Sequence, residues 1–180
     1  RVASERCALH ASAVGISWRS APAELRDQCL LPTELASQLM ADLRSRGCEE
    51  VAVLSTCNRV EVWAASPSPE ATTRDILELW DEICHPDPKW KTAAYLRHHE
   101  EAVDHVFRVA ASVDSLVLGE TQIPTQVRKA WEAARDAGHC GFFLGHLVQN
   151  ALVAGKRVRT ATKLGEGALS ISSAAVDLAR

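Results

Sequence analysis

Cys57 stands in the segment Ser55-Thr56-Cys57-Asn58-Arg59, between two short apolar runs that read as strands. A tight link between strands turns its side chains outward, where they can act on a substrate. A thiol attacks only as its thiolate, and a guanidinium two residues along favours that form when it lies close. The chemistry these residue types suggest is nucleophilic attack by sulfur; the plainer alternative is a small cysteine that fills space. His105 is a second candidate, because imidazole titrates near neutral pH and can pass a proton. Its plainer alternative is a histidine that satisfies hydrogen bonds inside a helical layer. Cys84-His85 and His139-Cys140 look like fragments of a metal centre, but neither has partners at ligand spacing, so no metal is expected. His98-His99 reads as a solvated turn.

The elements that must position these residues fall into two parts. Residues 8 to 18 form an apolar stretch ending at Gly15-Ile16-Ser17-Trp18, read as a first strand. Pro32 and Thr33 open a helix with Leu35, Leu39, Met40 and Leu43 at helical spacing, stopped by Gly47. Val51 to Leu54 suits a buried strand. Val60, Val62 and Ala64 alternate with Glu61 and Trp63, as in a half-exposed strand. After Pro67 and Pro69, residues 70 to 83 read as a helix with Ile76, Leu77, Leu79, Trp80 and Ile83 on its apolar face, ended by Pro86 and Pro88. A fourth strand is expected around Thr92 to Leu96. The order β-α-β-β-α-β is that of a ferredoxin-like α+β lobe. From about residue 99 only helices are expected, over 99–111, 124–137 and 141–160, with another beginning near Ile171. The reading is therefore an α+β lobe over 1–98 followed by a helical lobe over 99–180.

Composition narrows the class. Of 180 residues, 47% are apolar and 24% charged, with net charge −3, so bulk charge gives no sign of nucleic-acid binding and any polyanion needs a local basic patch. Lys156, Arg157, Arg159 and Lys163 form such a patch with no acidic residue among them, or else an ordinary basic helix face. Six scattered cysteines without a C-x-x-C pair read as reduced thiols in a cytoplasmic protein. No run is long enough to span a membrane and no signal peptide is visible. The chain opens on Arg1 rather than Met, as a trimmed chain would. No G-x-G-x-x-G occurs, so no dinucleotide loop is expected.

Several segments, in register over nearly the whole chain, resemble the glutamyl-tRNA reductase family. Ser55-Thr56-Cys57-Asn58-Arg59-Val60-Glu61 is similar to the family's nucleophile motif. Gly15-Ile16-Ser17 with Ala21-Pro22-Ala23-Glu24-Leu25-Arg26 resembles its opening segment, and residues 102–110 its histidine-bearing helix. Asp114 to Ile123 resembles its most distinctive stretch, followed by Gln126-Val127-Arg128; residues 155–160 and 170–175 match its helical segment.

The resemblance implies that Cys57 attacks the ester of glutamyl-tRNA to give a glutamyl thioester, which hydride from NADPH reduces to glutamate 1-semialdehyde on the way to tetrapyrroles. It implies that Arg59 grips the substrate carboxylate, with Thr56, Ser115, Glu120, Gln122 and Gln126 beside the glutamyl group. His105 would give acid–base help or orientation, and Lys156, Arg157 and Arg159 would meet the tRNA. A downstream aminotransferase or other acyl acceptor is a further implied partner; no oligomeric state is indicated. NADPH-binding and dimerisation domains are expected to lie outside this chain, which reads either as an excised part or as a stand-alone relative acting as an aminoacyl-tRNA-dependent acyltransferase or esterase. A non-catalytic module that binds tRNA is a third reading, opposed by the joint presence of Cys57, Arg59 and His105. Trp18-Arg19-Ser20 stands where the family generally has His-Lys-Thr, Ser112 where it has glycine, Pro124-Thr125 where Leu-Gly is common, and Trp63 where it has tyrosine.

Overall fold

A computed structural model describes residues 8–162 and Leu164. The expected helix from Ile171, the 170–175 segment and Lys163 lie outside those residues. The elements are β1 (His10–Ser17), α1 (Ala23–Gln28), α2 (Thr33–Ser45), β2 (Glu50–Ser55), β3 (Arg59–Ser66), α3 (Pro69–Cys84), α4 (Trp90–Ala93), β4 (Tyr95–His98), α5 (His99–Ala110), α6 (Gln122–Asp136) and α7 (Phe142–Ala161). The four strands form one antiparallel sheet in the order β2-β3-β1-β4. With α2 and α3 as the crossovers, this is the ferredoxin-like arrangement the element order predicts.

Local chemistry accounts for the boundaries. Pro69 occupies the first turn of α3, where its fixed φ suits helix entry and no backbone N–H is lost. Gly47 ends the α2 segment at φ 95°, a conformation that costs other residues. The fourth strand differs from expectation: residues 90–93 form the helical turn α4, with Trp90 buried, and β4 follows it. His98 ends β4 with its ring sharing a 2.8 Å hydrogen bond with Thr73 Oγ1, so only His99 of the pair is exposed.

Alternate residues of the strands divide two cores. Val14, Ile16, Val53, Val60, Val62 and Ala64 pack with Leu39, Leu43, Ile76 and Trp80 of α2 and α3. On the opposite face Ala11, Ala13, Leu54 and Trp63 pack with Val106, Val109, Val127, Val148 and Leu152 of α5, α6 and α7. The helices after residue 98 thus roof the second face of the sheet, and every residue of β3 is buried. That overturns the half-exposed reading of β3: Glu61 and Trp63 point into a helical layer, not into water. Glu50 fastens this layer, its carboxylate accepting the Phe143 and Leu144 backbone N–H groups at 3.0 and 2.7 Å, at the positive end of α7.

Candidate active site

The turn between β2 and β3 is built by Thr56. Its hydroxyl accepts the Asn58 and Arg59 N–H groups at 3.3 and 3.1 Å, while its own N–H donates to the Arg59 carbonyl at 2.8 Å. Cys57 is held at the tip of this turn, exposed, with Arg26 Nε donating to its carbonyl at 3.3 Å. The other described cysteines differ in kind. Burial pushes the Cys29 thiol up to about 12 and those of Cys48 and Cys140 up to about 11, and raises that of Cys84. Thiols so raised are poor nucleophiles at neutral pH.

A cleft of ≈ 40 Å³ lies against Cys57, and its lining includes Thr56, Arg59, Ser115, Glu120, Gln122 and Gln126. All the residues expected beside the glutamyl group therefore share one cleft with the thiol. Gln122 and Gln126 reach it from the first turns of α6, where unpaired backbone N–H groups favour negative charge. The Thr56 hydroxyl, by contrast, is already committed to the turn.

His105 lies in a neighbouring, wider cavity of ≈ 660 Å³, whose lining also includes Arg19, Tyr95, Arg97, Arg108 and Asp114. Between cleft and cavity runs a buried polar network that the sequence did not reveal. Glu61, at 0% exposure, is its centre. Its Oε1 accepts from Arg59 Nη1 at 2.5 Å and from the Tyr95 hydroxyl at 2.7 Å. Its Oε2 accepts from Trp63 Nε1 at 2.7 Å and lies 3.0 Å from His105 Nε2. Four donors on two oxygens leave this buried carboxylate fully paired. Burial alone would raise its pKa, but the charges and hydrogen bonds of His105 and Arg59, with the Tyr95 hydroxyl, outweigh it and hold the carboxyl well below the usual range. With Glu61 ionised, His105 must donate through Nε2, which leaves Nδ1 for any exchange of a proton.

Arg59 is 2% exposed and doubly engaged. Besides Glu61 it donates through Nη2 to the Asp114 carbonyl and, at 3.2 Å, to Asp114 Oδ2. Asp114 also accepts from Arg19 Nε at 2.8 Å. Burial would raise the Asp114 pKa, but Arg59 and Arg19 together lower it. The positive charge of Arg59 is thus met by two protein carboxylates. Glu61, Asp114, Arg19 and Tyr95 complete the site beyond the expected residues. Glu61 and Asp114 fall inside the segments that carry the family resemblance, but the opposite charges two residues apart on β3 also fit a solvated strand face, and nothing local pointed to Tyr95.

Lys156 and Arg157 are exposed on α7, and Arg159 is half-buried there. Among the described residues no cluster of three His, Cys, Asp or Glu could hold a metal, and no helix is long and apolar enough to cross a membrane.

The profile of the family described as Glutamyl-tRNAGlu reductase, N-terminal domain, matches residues 14–162. A glutamyl-tRNA reductase of Synechococcus elongatus is 41% identical over 174 residues, covering 96% of this chain and 40% of that protein. One from Gloeothece citriformis is 40% identical over 174 residues, covering 96% of this chain and 41% of its own length. Among solved structures, the glutamyl-tRNA reductase from Methanopyrus kandleri superposes with a TM-score of 0.73 at 33% identity, over 94% of this chain and 39% of that one. The chain spans about two fifths of the length of these relatives. With the fold, the thiol-bearing turn and these likenesses in agreement, the chain belongs to the glutamyl-tRNA reductase family and corresponds to its N-terminal domain.

Proposed function

We propose that this chain carries out the acyl-transfer half of a glutamyl-tRNA reductase reaction. The observation that carries the reading is the exposed Cys57 at a turn tip, beside a cleft that gathers Arg59, Ser115, Glu120, Gln122 and Gln126, in a chain of this family. In the step, Cys57 loses its proton and the sulfur attacks the ester carbonyl carbon of glutamyl-tRNA. A carbon–sulfur bond forms, the bond to the ribose oxygen breaks, and that oxygen takes up a proton as the tRNA leaves. His105 handles proton transfer through Nδ1, held in orientation by Glu61. The glutamyl carboxylate is received near Arg59 at the N-terminus of α6. Residues 1–98 supply the nucleophile, residues 99–180 complete the glutamyl site, and Lys156, Arg157 and Arg159 meet the tRNA.

The family's hydride donor, NADPH, does not fit the residues present: the sequence has no glycine-rich phosphate loop following a strand, and no hydride step is assigned to them. In a reductase the thioester passes to that cofactor; with an amine or water as acceptor, the same first step would serve a transferase or esterase. The reading is tested by following free tRNA released from glutamyl-tRNA without NADPH. Release by the native chain and none by Cys57→Ala is expected; equal release by both would refute a thioester at Cys57.

A further inference from the structure

Two buried polar atoms at the Cys57 cleft have no hydrogen-bond partner among the described residues: Ser115 Oγ and Trp18 Nε1. Both residues line the cleft, and Ser115 is only 7% exposed. A buried donor left unpaired is costly, so polar groups in such places are normally satisfied by something. The cleft volume of ≈ 40 Å³ suits a group the size of a few water molecules, such as a carboxylate, and no aromatic base.

The backbone of Trp18 is anchored beside Cys57. Its backbone N–H donates to the Asn58 carbonyl at 2.9 Å, next to Cys57. The Arg19 guanidinium lies 4.3 Å from the centre of the Trp18 ring, and Arg19 is itself tied to Asp114. Around Arg59 the protein's own charges already balance: Arg59 and Arg19 face Glu61 and Asp114. A third carboxylate arriving there needs further donors that carry no counter-anion. An indole N–H and a serine hydroxyl meet that need, and the indole, which only donates, offers nothing to the nitrogen of an amide.

We infer that Trp18 is a specificity-determining residue, whose indole N–H, with Ser115 Oγ, hydrogen-bonds the side-chain carboxylate of the acyl group attacked by Cys57. The inference rests on the thioester reading above and names a donor at a position where the family generally carries histidine.

The test compares glutamyl and glutaminyl esters on the same tRNA, measuring the rate of acyl transfer to the full chain for each. Trp18→Phe keeps the ring under Arg19 and removes the N–H. The preference for glutamyl over glutaminyl should fall about tenfold, and Trp18→His, which restores a ring donor, should recover part of it. Should Trp18→Phe unfold, benzothienylalanine at position 18 replaces the indole N–H by sulfur at nearly constant shape and should show the same fall. An unchanged preference, or an equal loss for both esters, overturns the role of Trp18. Undiminished transfer by Cys57→Ala would instead overturn the reading beneath it.

Discussion

At the scale of single residues, Glu61 governs the site without touching the cleft's contents. Each of its oxygens takes two donors, and through them it fixes the His105 ring, the Arg59 guanidinium and the Tyr95 hydroxyl. Its folded-state pKa lies below the ordinary 4.5, and that of Asp114 below 3.8. Groups shifted down stabilise the fold fully above their unfolded pKa and lose that contribution as pH falls toward the folded value. Stability should therefore decline as pH drops below about 5. In Glu61→Gln the amide can accept at one end only, leaving Arg59 and its neighbours short of a partner. Urea unfolding should show a loss of about 3 kcal/mol at pH 7 and a shallower decline toward pH 4 than in the native chain. An unaltered acid slope would contradict the assignment of Glu61 as the titrating centre.

At the scale of elements, the close approach of α7 to the end of α5 sets the loop that carries Asp114 and Ser115. A Cβ at Gly155 would come 2.8 Å from both the Ala110 carbonyl oxygen and Ala111 Cα, backbone atoms that cannot turn aside. Gly155→Ala should lose about 1–3 kcal/mol, read as a lowered Tm, and should slow acyl transfer by displacing the loop; a native Tm would show that the helices part freely. Ser112 begins the same loop at φ 61°, which explains why glycine is usual there, and its hydroxyl donates to the Glu120 carbonyl at 2.7 Å to close it. The sheet order was legible in the sequence because strand and helix periods alternate clearly through residue 84. The place of β4 was not, since Trp90 in the helical turn at 90–93 buries against Trp80, 5.1 Å away, a contact that local periodicity does not report. Nor was the inward face of β3, where Arg59, Glu61 and Trp63 alternate with Val60 and Val62 as a solvated strand would. The helices that bury that face lie far along the chain, and periodicity reports only local neighbours. The thiol and its cleft were legible through resemblance and turn position; the network behind them is closed by contacts across 34 to 95 residues, and its local pair, Arg59 and Glu61, reads equally as a solvated strand face.

At the scale of the whole molecule, the net charge is −3, so the tRNA contact in the proposed reaction depends on local basic surface. Lys156 and Arg157 are exposed on α7 and suit that task. Replacing both by alanine should weaken tRNA binding and make its salt dependence shallower by one to two, that is ~1–2 in the log–log slope. An unchanged slope in a binding titration across salt concentrations would move the contact elsewhere. The central claim is the covalent one, and it is tested most directly by mass. The chain is mixed with glutamyl-tRNA in the absence of NADPH, and its intact mass and peptide map are compared with those of Cys57→Ala. The expected result is a glutamyl adduct on the Cys57 peptide that is missing from the variant. An adduct on another residue, or neither an adduct nor Cys57-dependent release of tRNA, would contradict it.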